Sequence, residues 1–162
     1  NAVKDLYQYE INGEELMYCE QFVPVEISKV FPFFADAYNL EAITPPQLNF
    51  HIEKMSTEQI QKGTLIDYRL KIHGVPAKWR TLISAWQENE LFVDEQLKGP
   101  YQQWHHTHEF KALGAGTVLI DRVRYRLPMG FIGFFFASYF VRKDVVKIFN
   151  FRKQFVSDQF NK

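Results

Sequence analysis

A chain of 162 residues that is 46% hydrophobic, 17% aromatic and 23% charged has the length of one domain and too many rings for a disordered chain. Nineteen basic and nineteen acidic side chains cancel, so no global field concentrates nucleic acid or anionic lipid at the surface. One cysteine, Cys19, excludes an intramolecular disulfide and fits a reducing, cytoplasmic setting, and the N-terminus shows no signal-peptide pattern.

Leu16 to Val23 (LMYCEQFV) is rich in strand-forming residues and is stopped by Pro24, which predicts a first strand. From Val25 the apolar residues Ile27, Val30, Phe31 and Phe34 follow helical spacing, and Pro32 marks that helix as short or bent. A second short helix is predicted over Asn39 to Ile43, capped by Asn39 and ended by Pro45 and Pro46. The period then changes to alternation. Strands are predicted over Leu48 to Met55, Thr64 to His73, Ala77 to Gln87, Leu91 to Leu97, Tyr101 to Lys111 and Thr117 to Leu127. Turn signals fall at His73 to Pro76, Lys98 to Pro100 and Gly114 to Gly116. Pairing Ile72 with Ala77 sets Leu70 opposite Trp79, Tyr68 opposite Thr81 and Ile66 opposite Ile83, so the apolar sets share one face.

Beyond Gly133 there is no Gly or Pro as far as Phe160, and Phe134, Val141, Val145, Ile148, Phe149, Phe155 and Phe160 recur near helical spacing. That predicts a long C-terminal helix over Gly133 to Phe160, about 40 Å in length. Its apolar beginning, Gly130 to Val141 (GFIGFFFASYFV), is shorter than the roughly 20 residues of a membrane-spanning helix. A core helix is favoured there, with an interfacial helix left open by the flanking Arg126 and Arg142. Together the elements predict one α+β domain over residues 1–162. It is a seven-stranded curved antiparallel sheet with two short helices after the first strand, its concave face covered by the long helix.

That order of elements, with FADAYNLEAITPP (Phe34 to Pro46), GTLIDYRLKIHGVPAKWRT (Gly63 to Thr81), FVDEQLKGPYQQWHHTHEF (Phe92 to Phe110) and DRVRYRLP (Asp121 to Pro128), resembles the helix-grip fold of the START and polyketide cyclase/dehydrase superfamily. The local sequences are similar to those of a bacterial subgroup of ligand-binding proteins within it. The resemblance implies a hydrophobic cavity between sheet and long helix, used for lipids, sterols, quinones, polyketides or plant hormones, with a few members acting as enzymes. It implies no cofactor. The expected partner is a hydrophobic small molecule and not nucleic acid, with the chain a monomer or homodimer and peripheral membrane contact not favoured.

Three of the five histidines lie in YQQWHHTHEF, Tyr101 to Phe110. With Lys98 to Tyr101 as a loop, Leu97 pairs with Gln102, Glu95 faces Trp104 and Val93 faces His106. Arg122, Arg124 and Arg126 belong in solvent, so Leu119, Asp121, Val123, Tyr125 and Leu127 face inward. A tight turn at Leu113 and Gly114 then pairs His106 with Asp121 and Trp104 with Val123. The cavity is expected to be lined by Tyr68, Trp79, Glu95, Trp104, His106, His108, Phe110, Asp121 and Tyr125 and roofed by Phe134 and Val141. Its mouth is expected between the short helices and the turns near His73 and Pro100.

Ionisable groups on a cavity wall must be satisfied by each other, by water or by a ligand. Three roles stay open for His106 and Asp121. They could form a buried pair that fixes strand register and tautomer, orient an apolar ligand by hydrogen bonds, or act as a general base in a cyclisation or dehydration. No metal is expected, because alternation turns His105 outward and splits the cluster. A further possibility is a membrane-associated lipid or quinone chaperone that docks through Phe135 and Phe136. The stripe of Arg122, Arg124 and Arg126 reads as a solvated face. No glycine-rich phosphate loop or nucleophile elbow is present.

Overall fold

The computed structural model describes residues 6–128 and 134–162, the side chains of 134–139 lying outside that description. Asn12 and Gly13 both take positive φ, 52° and 75°, the left-handed pair that a two-residue hairpin turn requires. They join β1 (Leu6–Ile11) to β2 (Glu14–Val23). Among the described residues the sheet therefore has eight strands, one more than the seven expected. The predicted first strand, Leu16 to Val23, is the inner part of β2.

The helix α1 (Ile27–Ala35) buries Val30, Phe31 and Phe34 and continues through the exposed Pro32. Asp36 caps α2 (Ala37–Ala42) by accepting from the Tyr38 backbone N–H, so the second helix begins two residues before its predicted start. Asn39 is no cap; its side chain donates to the Phe33 carbonyl and ties α2 to α1. A 3₁₀ turn over Pro46–Leu48 delays β3 to His51–Met55. Then follow β4 (Leu65–Ile72), β5 (Val75–Gln87), β6 (Leu91–Lys98), β7 (Gln103–Leu113) and β8 (Gly116–Arg126). All pairings are antiparallel, in the order β1-β2-β8-β7-β6-β5-β4-β3.

Three registers differ from expectation, with unequal consequences. His73 and Gly74, at φ 50° and 79°, make a turn tighter than predicted, so Ile72 pairs with Val75 and Tyr68 with Trp79. Leu113 likewise pairs with Gly116, which sets His106 opposite Val123 and His108 opposite Asp121. Both are two-residue shifts and leave every side chain on its expected face. Between β6 and β7 the shift is a single residue. Asp94 faces His106 and Glu95 faces His105, so inner and outer exchange along β6. The cause is local: the Gln96 side chain accepts from the Tyr101 N–H and donates to the Tyr101 carbonyl, leaving Gln102 in the connection.

The long helix α3 (Phe134–Phe160) is held on one half of the sheet. Val145 and Phe149 pack with Met17, Cys19, Val123 and Tyr125 of β2 and β8, and burial of each such side chain contributes about 1.5–3 kcal/mol. Polar pins fall on the same side. Arg142 makes a bidentate pair with Glu15 at 2.8 and 2.7 Å, and Gln21 donates to the Lys153 carbonyl at 2.7 Å. The β3 to β5 half carries its own cluster around Tyr68, Leu70, Trp79 and Ile83. Space is left between that cluster and α3. No helix among the described residues is long and apolar enough to cross a membrane.

Candidate functional site

That space is a cavity of ≈ 620 Å³, within the usual range for a small-molecule site. Ile66, Tyr68, Leu70 and Trp79 form one wall and Val141, Ile148 and Phe149 the helix side. Phe50, Tyr101 and Trp104 add rings to it. Tyr68 and Trp79 lie nearly parallel, 5.8 Å between centroids, while Trp104 and Tyr101 meet Trp79 edge-on. α1, α2 and the turns at His73 and Pro100 border the cavity as well. His73 Nε2 and Asp144 Oδ2, 2.6 Å apart, join the β4–β5 turn to α3 beside it.

At the sheet end of the cavity, alternation on β6, β7 and β8 brings four ionisable side chains together. His106 Nε2 lies 2.7 Å from Asp121 Oδ1, and His108 Nε2 lies 2.5 Å from Asp94 Oδ2. The two imidazoles stack at 3.6 Å, with Phe92 over His108 at 4.1 Å. From α3, Arg152 Nη2 reaches His108 Nδ1 at 3.1 Å and Asp121 Oδ1 at 3.4 Å, its guanidinium over the rings of Phe34 and Phe149. Asp94, His106, His108 and Arg152 line the cavity; Asp121 does not and stands behind His106.

Arg152 is a donor only, so His108 Nδ1 accepts from it and the His108 proton sits on Nε2, donated to Asp94. Burial, reinforced by the neighbouring His106, pulls the His108 imidazole down to about 4. Burial alone would raise both carboxyls. It is outweighed at Asp121 by the Arg152 guanidinium and the hydrogen bond from His106, which hold that group well below the usual carboxylate range. At Asp94 the neighbouring His106 and the hydrogen bond from His108 outweigh it. Both are carboxylates at neutral pH.

The ligand atoms of Asp94, His106 and His108 lie within 4.8 Å of one another, close enough for one cation to bridge. Arg152 weighs against a cation: its charge is fixed beside the group, and it occupies the His108 lone pair a metal would need. What the arrangement offers is a hydrogen-bonding wall inside an apolar cavity, with an imidazole backed by a carboxylate.

Of the residues singled out from sequence, Tyr68, Trp79, Trp104, His106, His108 and Val141 line the cavity. Phe110 does not line it and packs instead with Phe31, Phe34 and Phe92. Tyr125 lies beneath Tyr101 and Trp104, almost fully buried. Glu95, expected on the inner wall, is instead beside His105 on the other face, their side chains 4.0 Å apart. The single-residue register shift is the reason. Phe134 begins α3, and its side chain, like those of Phe135 and Phe136, lies outside the described residues. Sequence reading missed Asp94 and Arg152. Asp94 was detectable only through the β6–β7 register, and Arg152 only through the rotation of α3 about its axis.

No family model and no curated protein matches the sequence. Solved structures do. A START superfamily protein from Mycobacterium smegmatis superposes with a TM-score of 0.68 at 11% identity, over 90% of this chain and 97% of that one. Ginseng major latex-like protein 151 from Panax ginseng gives 0.65 at 11% identity, over 92% and 99%. A protein from Thermus thermophilus gives 0.57 at 17%, over 88% and 98%. At these identities the likeness is one of fold: this chain has the helix-grip fold of the START and major latex-like proteins.

Proposed function

We propose that the protein binds a hydrophobic or aromatic small molecule in the cavity between β3–β5 and α3, and holds or carries it without turnover. The observation that carries the reading is the cavity itself, ≈ 620 Å³ and walled by Phe50, Tyr68, Trp79, Tyr101, Trp104 and Phe149. An apolar void of that size leaves its lining without dispersion partners, a cost that a bound ligand removes. The helix-grip fold supports the reading, because it spans a sheet with one helix and leaves space beneath it. Native mass spectrometry of protein purified from its own host tests it: an apolar adduct is expected. Ile66→Trp, which projects an indole into the cavity, should abolish both the adduct and uptake of the fluorophore 1-anilinonaphthalene-8-sulfonate. Uptake by that variant equal to wild type would overturn the reading.

A second reading is favoured by one arrangement, the Asp121 carboxylate behind His106 with the cavity in front. In neutral His106 the proton on Nε2 is given to Asp121, so Nδ1 carries a lone pair that can take a proton from an acidic C–H or hydroxyl, as cyclisation or dehydration requires. Proton exchange at the α-carbon of 2-tetralone in D₂O checks this. Exchange above the buffer rate that is lost in His106→Gln supports catalysis, and exchange no faster than buffer supports the carrier.

A further inference from the structure

The polar wall is not neutral toward its ligand. Asp94 accepts from His108 through Oδ2, and the same oxygen stands 3.5 Å from His106 Nδ1. Its other oxygen, Oδ1, has no protein partner among the described residues, and Asp94 lines the cavity. A carboxylate oxygen is an acceptor only, so the group that satisfies it must donate. Hydroxyl, amine and ammonium donors all meet that condition; carboxylates and phosphates do not, and they would add a third negative charge beside Asp94 and Asp121.

Desolvation then separates the donors. Arg152, 3.4 Å from Asp121, balances one of the two carboxylates, and an ammonium would have to shed its water to enter the apolar cavity, a larger cost than a hydroxyl's. The aromatic walls next to the cluster favour a ring, since Tyr68 and Trp79 lie nearly parallel and Trp104 meets His106 edge-on at 6.4 Å.

Resting on the cavity as a binding site, we propose that the ligand is a planar aromatic molecule bearing a neutral hydroxyl, a phenol or an enol, that donates its proton to Asp94 Oδ1. Asp94 is then a specificity residue, and His108 with Arg152 behind it are positioning residues that hold its carboxylate toward the sheet.

Matched probes test this by displacement of 1-anilinonaphthalene-8-sulfonate fluorescence. 2-Naphthol should displace the dye at a concentration about tenfold lower than 2-methoxynaphthalene, since a hydrogen bond to a charged group is worth a factor of that order. In Asp94→Asn the amide can keep its oxygen on His108 and turn its N–H₂ to the cavity, so the preference should vanish or reverse toward the ether. Equal displacement by both probes in wild type would overturn the donor assignment while leaving the cavity reading intact. Displacement by neither would overturn the cavity reading itself. A preference kept in Asp94→Asn would remove Asp94 from the role. Tighter binding of protonated 1-naphthylmethylamine than of 2-naphthol would overturn the neutral hydroxyl. The wild-type comparison needs no variant to fold.

Discussion

Arg152 Nη2 donates to His108 Nδ1 across 3.1 Å, and that contact determines which protons the buried imidazole carries. A ring nitrogen that accepts from a guanidinium has no proton of its own, so His108 is the neutral tautomer protonated on Nε2. Burial acts in the same direction and brings its pKa down to about 4. Nitrogen-15 spectra at pH 7 are expected to show His108 as the Nε2–H tautomer, unchanged down to about pH 5. A His108 resonance titrating near its ordinary value of about 6.5 would exclude this arrangement.

The same depression makes the fold sensitive to acid. Unfolded, the imidazole takes up a proton near pH 6.5; folded, it does so only near 4. Between those values the unfolded chain binds more protons, so the His108 contribution is fully present above pH 6.5 and is lost as pH falls toward 4. Asp94 and Asp121, both depressed, contribute losses of the same sign at lower pH. The urea midpoint should decline steadily from pH 7 to 4. His108→Gln, whose amide can still accept from Arg152 and donate to Asp94, should flatten the part above about pH 5. An identical pH slope in that variant would show that His108 does not cause it.

Asp121 holds two neighbours at once, His106 at 2.7 Å and Arg152 at 3.4 Å, with its own side chain 13% exposed. Removing one partner from a buried ion pair leaves an uncompensated charge and costs about 3 kcal/mol or more. Asp121→Asn keeps the shape and an acceptor for His106, so the loss isolates the charge. Chemical denaturation should show a fall of about that size, while Glu95→Gln on the outer face should change stability by no more than about 0.5 kcal/mol. Comparable losses in the two variants would mean that Asp121 is screened rather than buried with Arg152.

Much of this site was legible because strand alternation tolerates even errors. The β7–β8 register was read two residues out, yet His106 still meets Asp121, now as a diagonal neighbour rather than a directly opposed one. The same tolerance kept Tyr68 and Trp79 on one face of the β4–β5 hairpin. An odd error has no such protection. Gln96 bonds to the Tyr101 backbone and lengthens the β6–β7 connection by one residue, which exchanges Glu95 for Asp94, and nothing in strand periodicity anticipates a side chain that shapes its own loop. Arg152 was hidden for a different reason. Apolar residues recur all around α3, so their spacing marks a helix without saying which side turns to the sheet. β1 had a signal, Asn12 followed by Gly13, but Tyr7, Tyr9 and Ile11 are all more than half exposed, so a core-based reading passes over them.

His73 and Asp144 join the β4–β5 turn to α3 at 2.6 Å, and both residues border the cavity. The His73 side chain is 69% exposed, so the pair contributes at most about 1 kcal/mol to stability. Its consequence is expected in rates. We expect a ligand to enter between this turn and α3, so that the pair must open for it to pass and closes again in free and bound protein alike. Asp144→Asn removes the charge and lowers that barrier, which by the conversion of about 1.4 kcal/mol per tenfold raises association and dissociation rate constants together by up to about fivefold. The equilibrium constant should stay within about twofold and the melting temperature within a few degrees. Stopped-flow mixing with 1-anilinonaphthalene-8-sulfonate measures both rates. Unchanged rates would move the entrance elsewhere on the cavity rim, and a changed equilibrium constant with one unchanged rate would make Asp144 a ligand contact instead of a latch.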